Sequence, residues 1–384
     1  MTGGGSGGHI TPLLPLAHEL KKRSPDCRII YIGLKGEKIS GLGSRFEAFD
    51  AVYRITSGKF RRYHGQSLIS RVTDFKTIWL NLRDLFKVLR GTMAARKLMR
   101  RLKPDVVFSK GGYVVVPVGL AARSRRIPII THDSDTIPGL ANRFIGKWAA
   151  IHATGMPPEY YSYDQKTISY TGIPVDERIK QVSPQTQADY KKQLDIKPSG
   201  KVLLVGGAGH GARDLNNHIT KIAAGLFSNI PDLHILHISG DKHLQDVTEA
   251  YKSRLDKDQI NNVTVVGFTP EFYKYSGAAD LVISRAGATT IAELALQRKA
   301  VLLMPAAFLT GGHQLQNAKA LTDASAARLV DNDVSDNELL STITDLLTND
   351  HNRSKLADNL NKMAHPNAAA DLAEIIINTS EHKL

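Results

Sequence analysis

Two glycine-rich turns, one in each half of this 384-residue chain, constrain its fold more than any other feature. The first is Thr2-Gly3-Gly4-Gly5-Ser6-Gly7-Gly8-His9. The second is Ser284-Arg285-Ala286-Gly287-Ala288-Thr289-Thr290, with Glu293 one helical turn further on. Glycine lets the main chain turn sharply from strand to helix. The helix N-terminus that follows offers N–H groups and a positive dipole end to an anion. Two such turns in two α/β halves point to a phosphate-bearing ligand in a cleft between domains.

Short apolar runs at 28–33, 104–109 and 127–132 read as strands separated by helical stretches. The pattern restarts past the turn Thr171-Gly172-Ile173-Pro174 and the polar stretch 183–201, with runs at 201–207, 234–238, 263–266, 281–283 and 301–304. Continuous apolar strands alternating with helices form parallel sheets covered on both faces, and ligands sit at the carboxyl ends of their strands. Residues 368–378 carry helical apolar spacing. A glycine turn of the first kind follows a strand, yet only Met1 and Thr2 precede it. The reading therefore expects a native start several residues upstream, and neighbouring strands that lack a partner.

Net charge is +13, from 50 Lys and Arg against 37 Asp and Glu, which favours an anionic partner. No zinc-finger spacing or RNA-binding aromatic motif supports nucleic acid. One cysteine, Cys27, excludes an internal disulfide framework and fits a reducing compartment. No apolar run approaches a transmembrane span, and no signal peptide is visible.

Gly3-x-Gly5-x-x-Gly8 matches a dinucleotide fingerprint, but the second strand ends in Ile32-Gly33-Leu34-Lys35, where that motif needs a carboxylate. A nicotinamide cofactor is discounted on that ground. His9 follows the glycines and reads either as a general base or as a packing residue. Thr131-His132-Asp133-Ser134-Asp135 reads either as a hydroxyl-binding or basic acidic turn, or as a cap for a helix near 139–147. Gly206-Gly207-Ala208-Gly209-His210-Gly211-Ala212 reads as phosphate-binding or as a tight turn. Glu293 can accept bonds from both hydroxyls of a ribose, or simply complement its helix dipole. The amides Gln314 and Asn317 suit sugar recognition.

Val72, Phe75, Trp79, Leu82, Phe86 and Leu89 recur at spacings of three and four, flanked by Arg71, Lys76, Arg83, Lys87 and Arg90. Such a face packs into a core or lies on an anionic membrane surface.

Taken together, these residues resemble the MurG family of lipid-linked peptidoglycan precursor transferases. The likeness runs along nearly the whole chain. It rests on Thr2 to Pro12, Ile55 to Tyr63, Lys110-Gly111-Gly112-Tyr113-Val114-x-x-Pro117, His132 to Asp135 with Pro138 to Asn142, Ser284 to Glu293, and Gln314-x-x-Asn317-Ala318. The resemblance implies a GT-B fold of two Rossmann-like domains, 1–172 and 173–365, with a C-terminal helix over 366–384 crossing back to the first. It implies inverting transfer of N-acetylglucosamine from UDP-N-acetylglucosamine to the 4-hydroxyl of lipid I, forming lipid II and UDP. No cofactor or metal is implied. The site residues it implies are His9 and Asp133 as catalytic, and Gly5, Ser6, Gly7, Gly8, Gly112 and Tyr113 around the acceptor diphosphate. Asp135, Gly207, Ala208, Arg285, Gly287, Ala288, Thr289, Thr290, Glu293, Gln314 and Asn317 would hold the donor. Phe75, Trp79, Leu82 and Phe86 would face the anionic inner leaflet, placing the chain peripherally on the cytoplasmic face of the plasma membrane. The chain departs from the family pattern at Asp133 (usually glutamate), at Asp176 (usually arginine), at His313 and in a longer loop at 207–212. Other readings are a transferase for another lipid acceptor, and a catalytically weak protein that binds UDP-sugar or lipid.

Overall fold

The computed structural model describes residues 1–4, 7–37, 47–59, 74–206, 212–306 and 312–381. The chain divides into two compact units, Met1–Asp176 with Asn367–Leu384, and Glu177–Pro366.

In the first unit, β1 (Ile30–Leu34) pairs in parallel with β2 (Ala51–Ile55). A second parallel ladder runs β3 (Val107–Ser109), β4 (Ile129–Asp133), β5 (Ile151–Thr154) and β6 (Ile168–Tyr170). Thr2 bridges the two ladders, pairing with Ile32 on one side and Ser109 on the other. Its N–H donates to Phe108 O at 2.9 Å, and Lys110 N–H donates to Thr2 O at 2.9 Å. The Met1 amino group donates to Ile30 O at 2.7 Å. Met1 and Thr2 thus occupy the central slot between β1 and β3, so the neighbouring strands find a partner there. The chain winds outward in both directions from this slot, and the slot's carboxyl end is where a parallel α/β sheet opens its ligand crevice.

Leu13, Leu14, Leu16, Ala17 and Leu20 form the buried face of α1 (Leu13–Arg23). His9 lies before that helix, in a 3-10 turn spanning Gly7–His9. The C-terminal helix, Ala368–Glu381, buries Leu372, Ala373 and Ile376 in the same core as α1, Tyr31 and Phe108.

Asp74 starts α2 (Phe75–Leu102) by accepting a bond from Thr77 N. Asp84, Val88, Gly91, Ala95 and Met99 are its buried side. Their spacing of three and four places them on one stripe. A methyl group on Gly91 would overlap the Thr56 carbonyl oxygen, and one on Gly58 would overlap that of Asp84. The helix is therefore held against the 56–58 segment by direct backbone approach. The opposite stripe carries Trp79, Leu82, Phe86, Leu89 and Met93, all exposed, with Phe86 at 70% and Trp79 at 62%. The apolar stripe read from the sequence is thus the outer face of α2 rather than its core face. Phe75 starts the helix, but its side chain, like Val72, lies outside the described residues.

Helix α3 (Val115–Arg123) follows β3, and α4 (Leu140–Ile145) follows β4. The helix expected over 139–147 is shorter, because the chain tightens into a 3-10 turn at Gly146–Trp148.

The second unit holds one parallel sheet in the order β12-β11-β10-β7-β8-β9. These are β7 (Lys201–Gly206), β8 (Leu233–Ile238), β9 (Val263–Val266), β10 (Leu281–Ser284), β11 (Ala300–Leu303) and β12 (Arg328–Leu329). Leu203, Val205, Ile235 and Ile283 pack against Leu215, Ile219, Ile222 and Leu226 of α5 (Arg213–Asn229). The winding direction reverses between the neighbours β7 and β10. Their carboxyl ends lie at a topological switch point; the turn after β10 leaves from there, whereas residues 207–211 after β7 lie outside the described residues.

Because Gly91 lets α2 touch the 56–58 backbone, Gly91→Val should destabilise the protein by about 1–3 kcal/mol through overpacking. Urea unfolding measures this, and an unchanged midpoint would remove the backbone contact from the account.

Candidate active site

The first unit builds a polar cluster around the ends of Thr2, β3 and β4. Gly112 has φ +85° and Gly111 φ +104°, a region that favours glycine. A methyl group on Gly112 would overlap the Gly4 carbonyl oxygen, and Gly4 N–H donates to Gly111 O at 3.3 Å. The two turns therefore abut backbone to backbone. Tyr31 OH secures the first turn by donating to Gly3 O at 2.6 Å. Gly8 is exposed, and a Cβ there would meet nothing within 4 Å among the described residues. Gly7 belongs to the 3-10 turn, whereas Gly5 and Ser6 lie outside the described residues. Tyr113 is half-buried, and its carbonyl accepts from Ser57 Oγ at 2.8 Å.

His9 Nδ1 lies 3.2 Å from Lys110 O. A carbonyl only accepts, so Nδ1 carries the proton and the neutral ring has Nε2 as its basic nitrogen. A Cβ on Gly111 would come 3.2 Å from His9 Cε1 and 3.7 Å from Asn142 Nδ2, so ring, glycine and amide are neighbours.

Asp133 ends β4 with 4% exposure. Its Oδ1 accepts from Asn142 Nδ2 at 3.0 Å and from Gly139 N at 3.3 Å, and its Oδ2 accepts from Tyr163 OH at 3.0 Å. Burial pushes its pKa up, opposed by those donors and by Lys110. Asn142 also donates to His132 O at 3.0 Å and accepts from Ser109 Oγ at 2.9 Å. Tyr163 stacks on His152 with centroids 3.7 Å apart, and His152 Nδ1 meets Thr131 Oγ1 at 2.8 Å. Asp133 thus touches the start of α4, through Gly139 N–H, and Asn142, the neighbour of the His9 ring. Asp135 is half-buried, and its carbonyl accepts from Tyr161 OH at 2.9 Å.

In the second unit, Gly287 caps α6 (Ala288–Leu296). The cap has no side-chain hydrogen bond, and the first turn holds no acidic residue. Among the described residues, a Cβ on Gly287 would meet nothing within 4 Å. Ala288 is buried, while Thr289, Thr290 and Glu293 are half-buried. A helix start with free N–H groups and neighbouring hydroxyls is of a kind that suits an anion. Arg285, by contrast, is 4% exposed. It donates to Met304 O at 2.7 Å and to Asn332 Oδ1, and burial lowers its pKa.

Two buried amides of α7 (His313–Asp323) are also spent on main chain. Gln314 Oε1 accepts from Ala306 N at 3.0 Å, and Asn317 Nδ2 donates to Ala286 O at 3.1 Å. Three residues read as donor ligands therefore brace the donor-side turns. Gly207 and Ala208 lie outside the described residues. Sequence reasoning named no role for Lys110, Asn142 or Tyr163. For the first two, their place inside the quoted motifs was the available signal.

The chain matches the glycosyltransferase family 28 N-terminal domain over residues 1–154 and the C-terminal domain of that family over residues 201–372. A curated relative from Bacillus cytotoxicus is named UDP-N-acetylglucosamine--N-acetylmuramyl-(pentapeptide) pyrophosphoryl-undecaprenol N-acetylglucosamine transferase. It is 31% identical over 381 residues, covering 98% of this chain and 97% of that one. A relative of the same name from Listeria monocytogenes is 29% identical over 384 residues, covering 98% of each. Among solved structures, MurG of Acinetobacter baumannii superposes with a TM-score of 0.72 at 24% identity, covering 98% of both chains, a likeness of fold. With both family domains matched in order and this identity along nearly its whole length, the chain belongs to glycosyltransferase family 28 and, within it, to the MurG family.

Proposed function

We propose that the chain transfers N-acetylglucosamine from UDP-N-acetylglucosamine to the 4-hydroxyl of the muramoyl sugar in lipid I, yielding lipid II and UDP. The observation that carries this reading is the His9 ring, fixed by a carbonyl in the tautomer whose Nε2 is basic. The acceptor oxygen attacks the anomeric carbon on the face opposite the nucleotide. The new C–O bond forms as the bond to the β-phosphate oxygen breaks, so the configuration inverts. The hydroxyl proton passes to His9 Nε2. The electron pair leaves on the diphosphate, where the α6 N-terminus with Gly287, Thr289 and Thr290 stabilises the charge.

Glu293 accepts the ribose hydroxyls in this reading, and Asp135 contributes to the donor. Arg285, Gln314 and Asn317 shape the donor turns through the main-chain bonds described above. Asp133 positions Asn142 beside the base. Gly7, Gly8, Gly112 and Tyr113 lie along the acceptor diphosphate. The exposed stripe Trp79, Leu82 and Phe86, with Arg83 and Arg90 exposed beside it, rests on an anionic membrane surface. No described helix is long and apolar enough to cross a membrane. A peripheral place on the cytoplasmic face of the plasma membrane fits both observations.

Radiolabel transfer from UDP-N-acetylglucosamine to a short-chain lipid I analogue tests the reaction. Donor binding without transfer would favour another acceptor or a binding protein. In the same assay, His9→Ala should lower kcat by about 100-fold or more with donor affinity intact. A parental kcat would exclude His9 as base. Glu293→Ala should raise donor KM about tenfold, equivalent to ~1.4 kcal/mol, whereas equal affinity would defeat the ribose assignment. Replacing Trp79 and Phe86 together by serine should weaken sedimentation with anionic vesicles several-fold while leaving turnover of a soluble acceptor analogue near parental. Undiminished sedimentation would place the membrane contact elsewhere.

A further inference from the structure

Lys110 touches both the candidate base and the acidic turn, through two different parts of one residue. Its carbonyl accepts the Nδ1 proton of His9. Its side chain, in a residue 3% exposed, donates from Nζ to Ser134 Oγ. Ser134 stands between Asp133 and Asp135, and both carboxylates act on the ammonium. From β4, His132 faces it as well. His132 Nε2 donates to Gly172 O at 2.9 Å, its Nδ1 is buried with no hydrogen-bond partner among the described residues, and burial followed by the Lys110 charge holds it neutral. From the first glycine turn, a Cβ on Gly3 would come 3.3 Å from Lys110 Cβ, and one on Gly4 would come 3.0 Å from a Glu37 carboxylate oxygen. Tyr161 and Tyr163 close the cluster beyond Asp133, both pushed by burial above the ordinary phenol range.

A buried ammonium persists only where hydrogen bonds and opposite charge offset its lost hydration. The acidic turn supplies that offset, and the relation is mutual. Without the cation, two carboxylates two residues apart at a strand end would repel each other and any anionic ligand nearby.

We propose that Lys110 is a positioning residue for the transfer reaction, its ammonium holding and neutralising the Asp133-Ser134-Asp135 turn while its carbonyl orients His9. This rests on the reading of His9 as the base. The ammonium is the working form. Burial lowers the Lys110 pKa to about 8, with Asp133 and Asp135 opposing that shift. Turnover is therefore lost as pH rises through that value, because the ammonium gives up its proton.

The experiment compares Lys110→Met and Lys110→Arg in the full chain. Methionine keeps the apolar stem, and the bond to His9 is made by the backbone. Lys110→Met should lower kcat about tenfold or more with donor KM unchanged, and should abolish the basic limb that this group sets. Lys110→Arg restores a permanent cation, so it should recover much of kcat and move the basic limb upward by about one pH unit or more. A parental kcat and basic limb in Lys110→Met would overturn the proposal, as would an arginine variant no better than methionine.

Lysine-labelled NMR of the substrate-free protein supplies an arm independent of turnover. One lysine resonance should titrate near the value above, vanish in Lys110→Met, and shift downward by about half a pH unit or more in Asp135→Asn as an opposite charge is removed. A Lys110 titration unmoved by Asp135→Asn would overturn the coupling. Failure of the parent to transfer to any lipid I analogue would instead strike the functional reading and leave this titration decisive for Lys110.

Discussion

The contact between Gly4 and Gly112 is the constraint on which the first unit's site depends. Each turn leaves the carboxyl end of a neighbouring strand, and their backbones meet where a single methyl group would not fit. The positive φ of Gly111 and Gly112 aims the second turn back at the first. That path brings the Lys110 carbonyl under His9 and sets the ring beside Asn142. A side chain at Gly112 would push apart the two loops that surround the His9 ring.

Beneath this contact lies a buried polar network rather than an apolar floor. Ser109, Asn142, Asp133, Tyr163, His152 and Thr131 are joined by hydrogen bonds and one ring stack. A satisfied network of this kind is directional, so it holds one arrangement where packing alone would tolerate several. The second unit follows the same rule with different residues. Arg285, Gln314 and Asn317 bond to main-chain groups on either side of the donor-side turns. Polar residues in the motifs of both units act largely by holding loops.

The glycine turns, the alternating strands and the outer stripe of α2 were all legible in the sequence, because each follows from a local backbone need or a simple period. Strands β2, β5, β6 and β12 were not. In β5 polar residues, His152 and Thr154, take buried positions, and periodicity has no means of knowing that Thr131 waits across the sheet for His152, while β2 buries only Ile55, β6 has no buried residue and β12 spans two residues. The same gap explains the donor-side residues. A motif tells that Arg285 and Asn317 stand near a turn, but which way each side chain points depends on partners, Asn332 and Ala286, distant in sequence or hidden in the main chain. The face of α2 was ambiguous for a related reason. A glycine and an alanine on the packed side carry little hydrophobic signal, so only the structure shows that close backbone approach did the packing.

The bond between His9 and Lys110 has a consequence for how such a site can change over generations. The imidazole is addressed by a carbonyl, which every amino acid at position 110 would supply. The charge beneath it comes from the side chain, which substitution can alter at will. Substitution at this one position thus changes the charge beside the acidic turn while leaving in place the carbonyl that fixes the His9 tautomer. The two properties are carried by different atoms of one residue, so a change in one does not entail a change in the other.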